Sequence, residues 1–391
     1  MRLPRYIVAV CLVFVPMLGQ AQQALHSYKE VKQGPPFHYK EGKYGKAELK
    51  YINDLPVLRV EGTPEEIGEQ TAALTKAPLT RLTNYTPDLL KAFGQEKRLP
   101  LLKMVGKSMV PQFPADHLKE MEALVKGSDL DRDLVIVGNT FADISKAGGC
   151  SVLLVTKDRS ATGEILFGRN LDYVTGGFLN EYSLVEVVRP KGKHAFASVG
   201  FPGFIGVTSG INDAGLALAT LEVYQAKDKS ARFDAKGVPY LLSYRRILEE
   251  CTTIEEAVKL LESIKRTTMN NLAICDKNGC AVLEITTKNV VVRRPEKGLC
   301  PCTNHFRSEE LAVDKTCRRF DALSKSFDME KLDRGDIAKL LHSANQGEHT
   351  LQTMIFEPSS LKLHLAIGKC PTSALPLKEL DLKPLLAAAK N

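Results

Sequence analysis

The sequence predicts a chain of the α+β class, in which a mostly helical segment precedes a longer, strand-rich region. Helical periodicity dominates between residues 64 and 142, whereas short apolar runs bounded by turn residues begin at Cys150. Two further helical stretches, at 240–264 and 318–342, interrupt these strands. This alternation is compatible with two sheets enclosed between helical layers.

The first 21 residues have the composition of a signal peptide. Arg2 and Arg5 precede the apolar run IVAVCLVFVPML, and Gly19-Gln20-Ala21 offers a small-residue cleavage site. Because the apolar run is too short for a comfortable membrane span, we expect cleavage after Ala21 and export to the periplasm or the medium. An uncleaved anchor helix is the alternative, and no other stretch is apolar enough to span a membrane.

The charge pattern gives no sign of a nucleic-acid partner. The formal net charge is +7, with both signs mixed along the chain. We therefore expect a small-molecule substrate and no cofactor.

The change of pattern at Cys150 divides the mature chain into two parts. Residues 22–149 are predicted to be a prosegment or small subunit, and residues 150–391 the catalytic domain. In the first part, helices are expected at 65–74, 115–125 and 131–142, the first of them directly after Pro64.

The second part has clear element boundaries. Thr253 followed by Glu256 predicts a capping box at the start of a helix at 254–264. A turn signal at 276–279 predicts a hairpin whose ends, Cys275 and Cys280, face each other. The predicted strands are 151–156, 164–169, 183–188, 195–200, 206–211, 216–223, 271–275, 281–286, 290–294, 353–357 and 361–366.

Seven cysteines remain when Cys11 and Cys150 are set aside, so at least one stays unpaired or pairs between chains. The two closely spaced cysteines of Cys300-Pro301-Cys302 could be metal ligands, but structural zinc sites normally use two such pairs. We expect no metal, and a disulfide partner for Cys300 or Cys302.

Gly148-Gly149-Cys150 has the chemistry of a self-cleaving nucleophile. If the thiol of Cys150 cuts the bond after Gly149, the new α-amine, with a pKa of about 7.7–8.0, can act as its base. Arg169 follows on the returning strand of a hairpin and can lower the thiol pKa. The two glycines let the preceding backbone adopt strained conformations. A plain loop and a core cysteine are the structural alternative.

The context of this cysteine resembles a known family. GGCSVLLV at 148–155 and GRNLDY at 168–173 resemble the nucleophile hairpin of the acyl-coenzyme A:6-aminopenicillanate acyltransferase family of N-terminal-nucleophile hydrolases, to which choloylglycine hydrolases are similar. Further segments follow in the family's order: GTPEEIG (62–68), PGFIG (202–206), GINDAGL (210–216), NLAICD (271–276), TNHF (303–306) and RRF (318–320). The resemblance implies a four-layer αββα sandwich and an autocatalytic cut between Gly149 and Cys150.

The resemblance also implies roles for other side chains. Asp172 would hold the α-ammonium group or the substrate amine. Asn271 would be an oxyanion donor, with Asn270 as the alternative. Arg319 would be the arginine of the family's late helix, with Arg318 as the alternative. His305 is a candidate for a Cys–His dyad with Cys150. Because the α-amine already serves as the base, we expect His305 to be a structural or pocket-lining histidine instead.

Glu222 departs from the choloylglycine hydrolases, where an asparagine is expected at this position. An ionised carboxylate cannot donate a hydrogen bond to an oxyanion, which favours the acyltransferase-like branch. The sequence thus predicts a hydrolase acting on linear amides of N-acyl compounds. The two fragments would remain as a heterodimer, and a homo-oligomer stays open. The alternatives are an acyltransferase with an amine acceptor, a non-catalytic binding protein of the same fold, and a cysteine peptidase acting on other proteins.

Overall fold

A computed structural model of the chain describes residues 34–146 and 148–387. This part of the chain forms sixteen strands and ten α-helices. The strands are β1 (Gly42–Tyr44), β2 (Ala47–Ile52), β3 (Leu55–Gly62), β4 (Gly149–Val155), β5 (Leu166–Asp172), β6 (Leu184–Pro190), β7 (Phe196–Gly200), β8 (Ser209–Asn212), β9 (Ala217–Glu222), β10 (Asn270–Cys275), β11 (Cys280–Ile285), β12 (Val290–Arg293), β13 (Leu299–Cys302), β14 (Thr350–Glu357), β15 (Lys362–Ile367) and β16 (Lys378–Asp381). The helices are α1 (Pro64–Thr83), α2 (Tyr85–Ala92), α3 (Leu99–Met109), α4 (Ala115–Ser128), α5 (Arg132–Ile144), α6 (Tyr240–Glu250), α7 (Ile254–Ser263), α8 (Arg318–Ser324), α9 (Arg334–Ser343) and α10 (Lys383–Leu386).

The strands form two sheets. The larger has ten strands in the order β1-β2-β3-β6-β7-β8-β9-β10-β11-β12, and the smaller has six in the order β13-β4-β5-β14-β15-β16. Neighbouring strands are antiparallel except β3 and β6, which pair in parallel. A parallel pair needs a long crossover connection, and the helices α1–α5 occupy the chain between these two strands.

The two sheets pack face to face and are covered by helices on their outer faces. Apolar side chains of alternate strand residues, such as Val152, Phe167 and Ala219, fill the space between the sheets. On the outside of the large sheet, α6 and α7 contribute residues such as Ile247. On the outside of the small sheet, α9 contributes residues such as Ile337. The protein is therefore a four-layer αββα sandwich, as expected.

The segment before Cys150 is mostly helical, but it is also part of the sandwich. Its strands β1–β3 form one end of the large sheet, and α1 packs on that sheet through Ile67. Its helices share a separate apolar cluster that includes Met109, Met121 and Val137. Within this segment, only residues 50–60 have strand character in the sequence, so β1 is not evident from the sequence.

Several local predictions are confirmed. The predicted capping box of Thr253 and Glu256 is present. Thr63 and Glu66 form a second capping box, which was not predicted. The hairpin between β10 and β11 places Cys275 directly opposite Cys280. Three strands were missed, namely β1, β13 and β16. β13 contains Pro301, and proline disfavours strands except at sheet edges, which is where β13 lies.

The predicted signal peptide, its cleavage after Ala21, and Cys11 lie outside the described residues. Among residues 34–146 and 148–387, no helix combines the length and the apolar character needed to cross a membrane. All eight cysteines in these ranges are buried, and Cys300 and Cys302 are both free thiols, so the disulfide expected at one of them is not present in this structure. The same residues contain no metal-binding group of three or more histidine, cysteine or acidic side chains.

Candidate active site

The β4–β5 hairpin brings Cys150 and Arg169 to the same face of the small sheet. Cys150 is the second residue of β4 and only 3% exposed, and its side chain points between the sheets together with Val152 and Leu154. Arg169 lies opposite Val152 across the hairpin. It is thus a diagonal neighbour of Cys150, within reach of a long side chain.

The thiol of Cys150 has a cation beside it inside the protein. Nη2 of Arg169 lies 3.6 Å from Sγ of Cys150, and Nη1 donates to the carbonyl of Thr220 at 2.5 Å. Burial raises the pKa of the Cys150 thiol, Arg169 partly offsets this, and the carboxylate of Asp172 adds to the rise. In the continuous chain the thiol is therefore predominantly protonated at neutral pH, and deprotonation requires a base.

Asn304 and Arg319 hold the backbone of Cys150. The N–H of Cys150 donates to Oδ1 of Asn304 at 2.8 Å, and Nη2 of Arg319 donates to the same oxygen at 2.8 Å. Nη1 of Arg319 donates to the carbonyl of Cys150. Nδ2 of Asn304 donates to the carbonyl of Glu222 at 2.8 Å, which fixes the orientation of the amide. Arg318, the alternative to Arg319, is exposed and donates to the carbonyl of Asn345 at 3.4 Å.

The pairing of β13 with β4 explains how Asn304 reaches this position. Cys302 lies opposite Val152, and in an antiparallel pair each step forward on one strand is a step back on the other. Continuing the register by two residues places Asn304 beside Cys150.

Asn271 differs from its predicted role. Its Nδ2 donates to the carbonyls of Thr303 and His305 at 2.9 and 3.0 Å. An amide nitrogen has two N–H groups, so neither is left for an oxyanion in this structure. Asn271 instead fixes the backbone on both sides of Asn304. Asn270, the alternative, faces the other side of the sheet and accepts from the hydroxyl of Tyr244.

Asp172 is buried at the end of β5, opposite Gly149. Its Oδ1 accepts from the hydroxyl of Thr350 at 2.6 Å, and its Oδ2 accepts from Nε2 of Gln346 at 3.0 Å. Burial raises the pKa of Asp172, and the charge of Arg319 partly offsets the rise. The carboxylate is thus rigidly positioned next to the predicted cleavage point.

The two glycines before Cys150 lie against other residues of the site. The N–H of Gly148 donates to Oε2 of Glu222 at 2.9 Å, and its carbonyl accepts from the hydroxyl of Tyr224 at 2.7 Å. A Cβ atom on Gly149 would overlap Nε2 of Gln346. A side chain at position 149 would therefore require Gln346 to move, whereas the backbone conformation at Gly149 does not itself demand a glycine.

A buried lysine anchors the segment that leads to these glycines. Nζ of Lys146 donates to the carbonyls of Val223, at 2.6 Å, and Met269. Burial lowers the pKa of Lys146 to about 8, and the nearby carboxylates of Glu222 and Asp143 offset only part of this decrease. Burial also raises the pKa of Asp143 to about 7.

His305 lies near a different cysteine. Burial of the Cys317 thiol raises its pKa, but the neighbouring polar groups of His305 and Thr303 lower it to about 6.

Cys150 lies in the wall of an apolar cavity of about 160 Å³. Both parts of the chain build this cavity. The part before Cys150 contributes helical residues such as Leu79, Leu134 and Phe141, and the part after it contributes residues such as Leu171 and Tyr240. The thiol can therefore meet an apolar molecule that enters from this side.

Sequence reasoning missed the positions of Asn304, Gln346, Thr350 and Lys146. Asn304 was visible only within the TNHF segment, where the histidine drew attention. The other three contact the site through long-range packing that leaves no local pattern in the sequence.

Comparison with known families agrees with the architecture. The profile of the acyl-coenzyme A:6-aminopenicillanic acid acyl-transferase family matches residues 158–370, which is more than half of the chain. The chain belongs to this family. The matched region begins after Cys150, so it includes Arg169, Asn304 and Arg319 but not the cysteine itself.

Individual relatives are distant. An uncharacterized protein of Archaeoglobus fulgidus is 25% identical over 279 residues, which is 62% of this chain but only 46% of the relative. The chain therefore matches less than half of that relative's length.

Three solved structures are similar at low scores. A conjugated bile acid hydrolase from Clostridium perfringens is 15% identical, with 60% of this chain and 93% of that one covered and a TM-score of 0.41. An N-acylethanolamine-hydrolyzing acid amidase ortholog from Caenorhabditis elegans is 17% identical, with 54% and 93% covered and a TM-score of 0.41. A penicillin V acylase from Agrobacterium tumefaciens is 12% identical, with 56% and 82% covered and a TM-score of 0.34.

Proposed function

We propose that this protein is an exported, self-processing amidohydrolase whose nucleophile is the thiol of Cys150. The observation that carries the proposal is the arrangement around this one residue. Its thiol contacts Arg169, its N–H is bound by Asn304, its carbonyl is bound by Arg319, and it lines an apolar cavity. Export is supported by the composition of the first 21 residues.

Self-processing would proceed by an N-to-S acyl shift followed by hydrolysis. Sγ of Cys150 attacks the carbonyl carbon of Gly149, the C–N bond breaks, and the nitrogen of Cys150 takes up a proton and leaves as an amine. Water then cleaves the thioester, which releases the carboxylate of Gly149 and the free thiol. Hydrogen bonds at Gly148 fix the chain before this bond, and Asn304 with Arg319 fixes the chain after it.

In the mature enzyme the new α-amine would remain beside Oδ1 of Asn304 and accept the thiol proton. Sγ attacks the substrate carbonyl, the amine portion leaves with a proton, and an acyl-thioester forms. Water then attacks the thioester and releases the acid. The second N–H of Asn304 Nδ2 is our candidate oxyanion donor, because the first is used by the carbonyl of Glu222.

The N-terminal fragment would stay bound after the cut. Strand β3 pairs with β6 inside the large sheet. Arg245 of α6 forms a bidentate ion pair with Glu120 of α4 and also contacts Glu249, which itself lies 3.0 Å from His117 of α4. These groups are buried, and separating them would leave uncompensated charges. We therefore propose a heterodimer of the two fragments.

Intact mass measurement and N-terminal sequencing of wild type and Cys150→Ala test this proposal. We expect two co-eluting fragments in the wild type, the larger beginning Cys150-Ser151-Val152, and a single chain in the variant. The wild type is then assayed for hydrolysis of N-acyl amides. One uncut chain in both proteins, without turnover, would overturn the proposal and favour a binding protein of the same fold.

The family name favours a second candidate, transfer of the acyl group to an amine. Both reactions share the acyl-thioester and differ only in the group that attacks it. Adding hydroxylamine as acceptor and measuring hydroxamate against free acid distinguishes them. Hydroxamate as the main product at low acceptor concentration would favour transfer.

A further inference from the structure

The cavity beside Cys150 has both buried and exposed lining residues. Cys150 is one of the buried ones. Leu134, Gly138 and Ala142 follow one another at intervals of one helical turn along α5 and also line the cavity. Leu134 and Ala142 are half-buried and Gly138 is exposed, so this edge of α5 borders the mouth of the cavity.

Gly138 has no packing reason to be a glycine. A Cβ atom on Gly68, Gly106 or Gly127 would meet neighbouring atoms at 3.1 Å or less. A Cβ on Gly138 would meet nothing within 4 Å. Gly335 has a neighbour at 3.2 Å, so within the described α-helices Gly138 alone faces open space.

Glycine in a helix interior is less stable than alanine because it loses more conformational freedom on folding. Where a sequence departs from such a local preference, here for alanine over glycine inside a helix, the reason is most often functional. The missing side chain at Gly138 keeps open the space over the cavity mouth.

The size of the cavity indicates what passes through the mouth. A cavity of about 150 Å³ lined by apolar residues holds one benzene molecule. This cavity, of about 160 Å³, therefore holds roughly the first six carbons of an acyl chain whose carbonyl lies at Cys150. A longer chain must leave through the mouth.

We propose that Gly138 is a specificity-determining residue, which lets long linear acyl chains leave the buried cavity across α5. The substrate class is then a linear fatty N-acyl amide. Because this inference rests on the proposed function, its test has one arm that measures turnover and one that measures binding alone.

The turnover arm uses acyl-p-nitroanilides with butanoyl, octanoyl and dodecanoyl chains. We expect Gly138→Leu to lower the ratio of kcat/KM for dodecanoyl over butanoyl by about tenfold or more, since a side chain now occupies the mouth. Gly138→Ala is a graded variant with a smaller effect. Lys119→Leu adds a leucine at an exposed position of α4 outside the cavity and should leave the ratio unchanged.

The binding arm measures dodecanoate and butanoate by calorimetry on the same variants. Weaker dodecanoate binding to Gly138→Leu, but not to Lys119→Leu, supports the inference. If dodecanoate binding depends on Gly138 as described but the wild type turns over no amide, the proposed function is wrong and the inferred acyl-binding site is still supported. A dodecanoyl-to-butanoyl ratio and dodecanoate binding that are both unchanged in folded Gly138→Leu overturn the inference.

Discussion

The side-chain oxygen Oδ1 of Asn304 accepts a hydrogen bond from the backbone N–H of Cys150 at 2.8 Å. The two residues are far apart in the chain, and the register between β13 and β4 brings them together. If the bond before Cys150 is cut, this N–H becomes the α-amine that serves as the base. Asn304 is then positioned to orient the base and, through its other amide group, to stabilise the oxyanion.

Asn304→Ala should therefore slow both self-processing and turnover by about 10²–10³-fold, the usual cost of removing one oxyanion donor. Asn271→Ala is the matched variant, because Asn271 bonds only to the backbone around Asn304. It should lower the free energy of unfolding by about 1–3 kcal/mol through the carbonyls left without a donor, with a smaller loss of kcat. Urea denaturation and time courses of the uncut chain separate the two effects. A larger catalytic loss in Asn271→Ala would restore the role predicted from the sequence.

Arg319 and Arg318 form a second matched pair. Arg319 donates to both Asn304 and Cys150, whereas Arg318 is exposed. Arg319→Gln should lower kcat/KM by about 10²-fold or more, and Arg319→Lys should recover little, because lysine lacks the planar fork that holds two acceptors. Arg318→Gln should remain within about twofold of the wild type. Equal losses in the two glutamine variants would contradict the assignment.

The fold was largely predictable because its signals are local. Alternation in the β4–β5 hairpin, capping residues such as Thr253, and the turn at 276–279 each act over a few residues. The proximity of Arg169 to Cys150 follows from the same hairpin. Local patterns are sufficient where the chain returns on itself within a short turn.

The site was less predictable, since long-range register determines it. Period-two alternation cannot tell whether Asn270 or Asn271 faces the small sheet, because both are buried. Pro301 concealed β13, and without β13 nothing in the sequence connects Asn304 with Cys150. The large sheet likewise includes strands from before Cys150 only because of the parallel pairing of β3 and β6.

The pair of Glu357 and His364 should make the free energy of unfolding depend on pH in the acidic range. Hydrogen bonding from His364 lowers the pKa of Glu357 to about 2, with Arg334 contributing. A carboxylate whose folded pKa lies below its unfolded value stabilises the fold above the unfolded pKa, and this stabilisation is lost as pH falls through the folded pKa. The stabilisation by Glu357 is therefore lost as the pH falls from about 4.5 to about 2. Because Arg334 is half exposed, we expect ionised Glu357 to contribute only about 1–2 kcal/mol to the free energy of unfolding.

Urea denaturation of wild type and Glu357→Gln over this pH range measures the effect. The difference in unfolding free energy should shrink toward zero as the pH falls. Glu310→Gln, at an exposed position, should show no comparable change. A difference between wild type and Glu357→Gln that stays constant with pH would contradict the linkage.

Arg169 should control the reactivity of the Cys150 thiol. Burial raises the pKa of this thiol and the charge of Arg169 partly offsets the rise. Arg169→Met should therefore move the pH profile of thiol alkylation to higher pH, while Arg169→Lys should move it less. Peptide mass spectrometry distinguishes label on the continuous chain from label on a new N-terminal Cys150. Arg293→Met is the control, because Arg293 contacts Cys300 at 3.2 Å. An unchanged profile in folded Arg169→Met would remove Arg169 from the site.

Gly149 and Gln346 should be coupled in self-processing. A Cβ atom at Gly149 would overlap Nε2 of Gln346, the group that donates to Asp172 at 3.0 Å. Gly149→Ala should therefore displace Gln346 and slow processing by about tenfold or more. Gly148→Ala is milder, since the nearest atom to its Cβ is Cδ2 of Tyr173 at 3.1 Å.

The double variant Gly149→Ala/Gln346→Ala isolates this coupling. Gln346→Ala alone removes the hydrogen bond to Asp172, so a methyl group at position 149 has nothing left to displace. The double variant should then process no more slowly than Gln346→Ala alone, as expected for two residues in contact. Losses that multiply would mean that Gly149 acts by another route, such as the conformation of the bond that is cut.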